Sequence, residues 1–203
     1  MKIICVGRNY AAHAEELGNK IPDSPIIFFK PDTALLRNNN TFFYPEYSKN
    51  IHYECELIYR VSREGKYIQR QFVESYIDGV GLGIDFTARD LQTKAKEKGH
   101  PWALAKGFNS SAPISAFKPL DAFEDINKLR FELKLNGESR QKGDASHMIW
   151  PLGPLVEYIS QFFTLKRGDI IFTGTPKGVG PIQVGDRLQA WLEGDEMLNF
   201  IIR

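Results

Sequence analysis

Cysteine is nearly missing from this chain. Cys5 and Cys55 are the two thiols in 203 residues, and they form no CxxC pair. That argues against a disulfide framework and against a zinc knuckle, and it leaves both residues, each inside an apolar strand-like run, as buried free thiols. An excess of either charge is missing too. Lys and Arg number 26 against 25 Asp and Glu, with no basic or acidic block, so the concentrated positive surface that a nucleic acid or an anionic membrane requires is absent. No apolar run could span a bilayer, and the opening MKIICVGRNYAAHAEE meets Arg8 and then acids before a secretory core can form. A cytoplasmic protein is the expectation. Nucleotide signatures are likewise missing: Gly79, Gly81 and Gly83 do not make GxGxxG, and Gly174-Thr175-Pro176-Lys177-Gly178 lacks the GxxxxGK[ST] order.

What remains is ordinary globular composition, 42% hydrophobic and 25% charged. It suffices for a substantial core in one domain, expected to span residues 1–203. Apolar and β-branched runs predict strands at Lys2–Val6, Ile51–Val61, within Tyr76–Phe86, at Phe131–Leu135, Ile170–Thr173, Ile182–Val184, Arg187–Leu192 and Met197–Ile202. Asn136-Gly137 marks a type I′ hairpin with a return strand from Ser139. Arg63–Lys66 reads as another hairpin turn, with a partner segment near Tyr67–Glu74. Short helices are predicted over Ala11–Leu17, from a Thr87 cap to Lys98, and over Pro151–Leu165.

The chemistry gathers around Ile51–Val61. In a strand, alternate residues share a face, which puts His52, Glu54 and Glu56 on one side and Cys55, Leu57 and Tyr59 on the other. Two carboxylates side by side raise each other's pKa unless a cation or a shared proton relieves them. Taken alone, the pair fits a solvated strand face as well as a cation site. The same holds for His13 and Glu16, three apart on a helix: they fit a surface pair, or a general base whose carboxylate orients the ring and raises its pKa. Asp85 closes an apolar run just before a helix bearing Arg89 and Gln92, an arrangement suited to holding a metal and an anion together. Lys106, among Ala and Gly neighbours, is either partly buried or snorkelling. The 174–180 loop is a candidate to bring amides and the Thr175 hydroxyl to a small anion.

In this order, GRNYAAHAEE, FFKPDTAL, IHYECEL, GIDFTARDLQ, PWALAKGFN, GDIIFTGTPKGVGPI and GDRLQAWLEG resemble the fumarylacetoacetate hydrolase family, specifically its compact acylpyruvate hydrolase and oxaloacetate decarboxylase members. The resemblance implies a β-rich α+β catalytic domain, a mixed β-roll with a few short helices, usually a homodimer. It implies metal ligands at Glu54, Glu56 and Asp85, a hard oxygen set suited to Mg²⁺, with Mn²⁺ or Ca²⁺ as other candidates. His52 is then a neighbour and not a fourth ligand. Arg89, Gln92, Lys106 and Thr175 match substrate-binding positions, and His13, Glu16 and Lys106 the catalytic ones, the first two on a segment that closes over the substrate. The implied activity is cation-dependent C–C cleavage of small 2,4-dioxo or β-keto acids through a stabilised enolate. Isomerisation or tautomerisation of hydroxydienoate or oxaloacetate-type substrates is the alternative, and a non-catalytic metal and carboxylate binder is a third reading. Asn109, where many relatives carry Asp, and the insertion Asn38-Asn39-Asn40 depart from the family pattern.

Overall fold

The computed structural model describes residues 1–16, 18 and 21–203, with Ala14 by its backbone alone. Strand β1 (Ile3–Gly7) leads into the short helix α1 (Ala11–Glu16); the predicted end of that helix, Leu17, lies outside the described residues. Then come β2 (Ile26–Lys30), β3 (Leu35–Leu36), β4 (Ile51–Tyr53), β5 (Cys55–Val61), β6 (Ile77–Ile84) and β7 (Thr87–Ala88). Helix α2 (Arg89–Lys98), the single turn α3 (Ala103–Lys106) and β8 (Ala112–Pro113) follow. The remainder is β9 (Arg130–Leu135), β10 (Glu138–Asp144), α4 (Leu152–Phe162), β11 (Ile170–Phe172), β12 (Gly180–Pro181), β13 (Arg187–Leu192) and β14 (Asp195–Ile201). The β-rich architecture with a few short helices is the one expected.

Two larger sheets dominate. One is mixed, in the order β2-β1-β11-β5-β6, with β1 and β11 parallel; the other, β10-β9-β13-β14, is antiparallel throughout. Two small pairings, β12-β4-β7 and β3-β8, take up the remaining strands. Alternation along β5 divides its side chains as predicted: Cys55, Leu57, Tyr59 and Val61 enter the main core between the sheets and under α4. Ile58 joins a smaller cluster on the opposite face with Ile3, Cys5, Ile170 and Phe172. Asn136 and Gly137 both adopt positive φ, as a type I′ turn requires. Both cysteines are buried and free.

Several local expectations are corrected. The predicted strand Ile51–Val61 breaks at Glu54, because β4 pairs with β7 and β12 while β5 pairs with β6 and β11. Residues 67–74 do not flank β5; Arg70–Tyr76 is a 3-10 helix tied to α4, where Ser160 Oγ accepts from the Ile68 amide at 2.9 Å and Glu157 holds Arg70. β6 takes the place beside β5. Thr87 does not cap α2: Ala88 stands at the cap, and Thr87 Oγ1 instead donates to the Asp85 carbonyl and accepts from Lys106. Ile182–Val184 runs into the Gly185 turn and forms no strand. The glycine positions of β6 are closely packed by the protein's own groups. A Cβ at Gly83 would lie 2.5 Å from the Phe172 ring, and one at Gly81 2.7 Å from Ser115 Oγ.

Candidate active site

Register builds the site. Cys55 pairs with Ile84 across β5 and β6, so the next residues outward, Glu54 and Asp85, stand opposite each other, joined by Asp85 N–H donating to the Glu54 carbonyl at 2.8 Å. Glu56 shares the face of Glu54 by alternation. All three carboxylates offer oxygens within 4.8 Å of one another, and none is more than 6% exposed. That burial removes the solvated-face reading, since carboxylates at this depth must be paired or coordinated.

The pairing is partial. Lys106, 3% exposed on α3, donates to Glu54 Oε2 at 2.9 Å, Asp85 Oδ2 at 2.6 Å and Thr87 Oγ1 at 2.6 Å. Arg89 reaches Glu54 Oε1 at 2.6 Å and Gln92 Oε1 at 2.7 Å, while its Nε is buried without an acceptor. Lys30, at the end of β2, is fully enclosed. Its ammonium lies 2.8 Å from Asp85 Oδ1, but its hydrogen bonds go to the Phe86, Ser111 and Lys106 carbonyls and to Ser111 Oγ. Asp85 Oδ1 is therefore a buried acceptor with a charge beside it and no hydrogen bond aimed at it. Glu56 accepts one bond, from Gly174 N–H at 2.7 Å. A cluster whose donors are all carboxylate oxygens fits a hard divalent cation.

The same environment sets the protonation states. Burial pushes Glu56 well above the ordinary carboxylate range, with Asp85 and Glu54 adding to the effect. Burial also opposes the charge on Glu54, but Lys106 and Arg89 outweigh it and hold that carboxyl low. For Lys106 burial again opposes the charge, and Asp85 and Glu54 overcome it, so its pKa is raised.

His13, 5% exposed on α1, lines the same cleft. Its Nδ1 lies 3.3 Å from Glu16 Oε2. An acceptor there makes Nδ1 the protonated nitrogen and leaves the Nε2 lone pair free. Contrary to the sequence expectation, its pKa is lowered: burial outweighs the pull of Glu54 and of Glu16. Glu16 is itself anchored, both its oxygens accepting from Gly178 N–H, at 3.0 and 3.1 Å. The loop amides at 174 and 178 thus serve protein carboxylates and not an external anion. Thr175 Oγ1 donates to the Cys55 carbonyl and accepts from Gln141 Nε2, both at 2.8 Å. Its hydroxyl proton is committed.

The cleft brings together His13, Glu54, Glu56, Asp85, Arg89, Gln92, Lys106 and Thr175; Glu16 stands behind His13. His52 is outside the acid cluster, its Nε2 2.9 Å from Asn50 Oδ1, and burial with the Arg89 charge lowers its pKa to about 4. Sequence reasoning missed Lys30, and it missed the cleft walls Arg8, Phe28, Lys96 and Trp102. A lysine ending an apolar strand before proline was the one local sign of the first; nothing local marks the others.

The family model described as fumarylacetoacetate (FAA) hydrolase C-terminal matches residues 2–200. The mitochondrial oxaloacetate tautomerase of Mus musculus is 42% identical over 201 residues, 99% of this chain and 91% of the relative. Among solved structures, a fumarylacetoacetate hydrolase family protein from Yersinia pestis CO92 superposes with a TM-score of 0.96 at 42% identity, over 100% of this chain and 93% of that one. Fumarylpyruvate hydrolase from Pseudomonas aeruginosa, solved with Mn²⁺ and pyruvate, has a TM-score of 0.94 at 36% identity, over 100% and 89%.

Proposed function

The chain belongs to the fumarylacetoacetate hydrolase family, and from that premise we propose that it enolises small 2-oxo acids of the oxaloacetate and acylpyruvate type with the help of a divalent cation. Keto–enol tautomerisation is the reaction that its own residues complete. The observation that carries this reading is one cleft with three converging buried carboxylates, Glu54, Glu56 and Asp85, and a neutral, carboxylate-oriented imidazole, His13.

Glu54, Glu56 and Asp85 would hold the cation, which would supply positive charge where the 2-oxo oxygen gains electron density. Arg89 brings an unclaimed Nε donor for the substrate carboxylate, and Gln92 fixes the guanidinium plane through its other edge. Lys106 supplies a second positive charge in the same cleft, its fields concentrated by burial. The free Nε2 of His13 takes a proton from the carbon between the carbonyls and returns it to carbon or oxygen. Glu16, held by the Gly178 amide, keeps the ring in the tautomer this requires. Thr175, its proton spent on Cys55, positions the cleft wall and does not donate to the ligand.

A second reading, hydrolysis of an acylpyruvate, is favoured by the dyad itself, since His13 with Glu16 could equally activate a water against a distal carbonyl. The likeness to a fumarylpyruvate hydrolase supports it; the likeness to oxaloacetate tautomerases supports the first. One experiment separates them. Oxaloacetate and an acylpyruvate are incubated with protein plus Mg²⁺ or Mn²⁺, following enol absorbance and product carbon count. Tautomerisation accelerates enol exchange without changing carbon number, and cleavage shortens the chain. Undiminished activity after complete chelation would overturn both.

A further inference from the structure

Two cations line the cleft that the reaction above does not use. Arg8 follows β1, and Lys96 lies on α2 seven residues after Arg89, four after Gln92. At that spacing all three share one helix face. Lys96 therefore extends the Arg89 and Gln92 row by roughly 10 Å along the axis. The wall between is aromatic: Lys106 Nζ sits 5.1 Å from the Phe28 ring centroid, Phe28 meets Trp102 edge-on at 5.8 Å, and Trp102 lies 5.7 Å from Lys96 Nζ. Outward from the carboxylates, the cleft runs from cation through apolar surface to cation.

Arg89 and Lys106 are bonded to Glu54, whereas Arg8 and Lys96 meet no carboxylate among the described residues. Arg8 also adopts φ of +58°, the left-handed region that a non-glycine side chain enters at some expense. Lys96 has its pKa lowered by burial, then by the charges of Arg8 and Arg89, so the three fields overlap. Unpaired, mutually repelling cations at a cleft wall are relieved by an anion.

We propose that Arg8 and Lys96 form a second anion subsite that takes the distal carboxylate of a dicarboxylic oxo acid, its carbon chain lying along Phe28 and Trp102. The enzyme then selects dicarboxylates over oxo acids with neutral tails. This rests on the site reading above, with the first carboxylate at Arg89.

Arg8→Gln and Lys96→Gln test it in two arms. With Mn²⁺ present, calorimetry compares 2-oxoglutarate with 2-oxopentanoate, which has the same chain length and a neutral tail. Wild type binds 2-oxoglutarate more tightly, and either variant loses about tenfold of that preference, the size of one charge-assisted hydrogen bond at a partly exposed site. In the second arm, kinetics on a 2,4-dioxo dicarboxylic acid and its monocarboxylic counterpart show KM rising for the dicarboxylate alone, with kcat kept. Equal wild-type affinity for the two oxo acids, or losses shared by both, overturns the subsite. Should wild type turn over neither dioxo acid, the reaction reading fails, and the binding arm still decides the subsite.

Discussion

Glu56 carries the sharpest residue-level consequence. Its folded pKa is raised, so the folded state binds more protons than the unfolded chain above pH 4.5, and stability without cation falls as pH rises through the folded value. Glu56→Gln removes that loss. In chelator, its melting temperature exceeds that of wild type by a margin that grows from acid to mildly alkaline pH, while its affinity for Mn²⁺ drops; a margin flat with pH would contradict the assignment. His13 works in the opposite sense. Its pKa lies below the usual 6.5, so the neutral base persists at pH 7 and the acid limb of kcat/KM falls below pH 6.5. His13→Ala should cost on the order of 10² to 10⁴ in kcat and abolish that limb, which a pH–rate profile on oxaloacetate would show. Lys30→Met breaks one of the two buried ion pairs of Asp85 and leaves Lys106 as its counter-charge among the described residues, a loss of about 3–5 kcal/mol measurable by urea unfolding in chelator.

Among elements, the close contact of β6 with β11 and of the glycine loop with α1 is decisive. Gly83→Ala would push a methyl into the Phe172 ring beneath the acid cluster, and overpacking of that kind costs about 1–3 kcal/mol. Gly178 holds φ of +97°, with a Cβ there 2.1 Å from the Arg140 carbonyl. Gly178→Ala should therefore displace the amide that fixes Glu16. Its signature is a larger fall in kcat than in Tm, because the loop lies at the surface while the tautomer of His13 depends on it. Thermal melts beside steady-state kinetics check both variants.

Over the whole molecule, the proposed cation would couple the chemistry to the fold. Glu54 and Glu56 belong to the β4–β5 stretch and Asp85 follows β6, so an ion that binds only their native arrangement stabilises the entire mixed sheet. At a free concentration of 1,000 Kd the gain is about 4 kcal/mol. Tm should rise with Mn²⁺ in wild type and stay flat in Asp85→Asn. The affinity should climb with pH, since Glu56 releases its proton on binding.

Much of this was legible in the one-dimensional chain because local rules carry it. Period-two alternation placed Glu54 and Glu56 on one face and Cys55, Leu57 and Tyr59 in the core; Asn136-Gly137 specified its turn; the ordered motifs pointed to the family and to the cleft residues. The sequence by itself determined which side chains could serve. What only tertiary structure decided is their state. The β5–β6 register set Asp85 opposite Glu54, and three buried carboxylates drew Lys106 and Lys30 inward. Desolvation of His13 then outweighed the neighbouring acids that, in water, would have raised its pKa. Burial and cross-strand register are sums over residues distant in the chain, and no window of neighbours contains them.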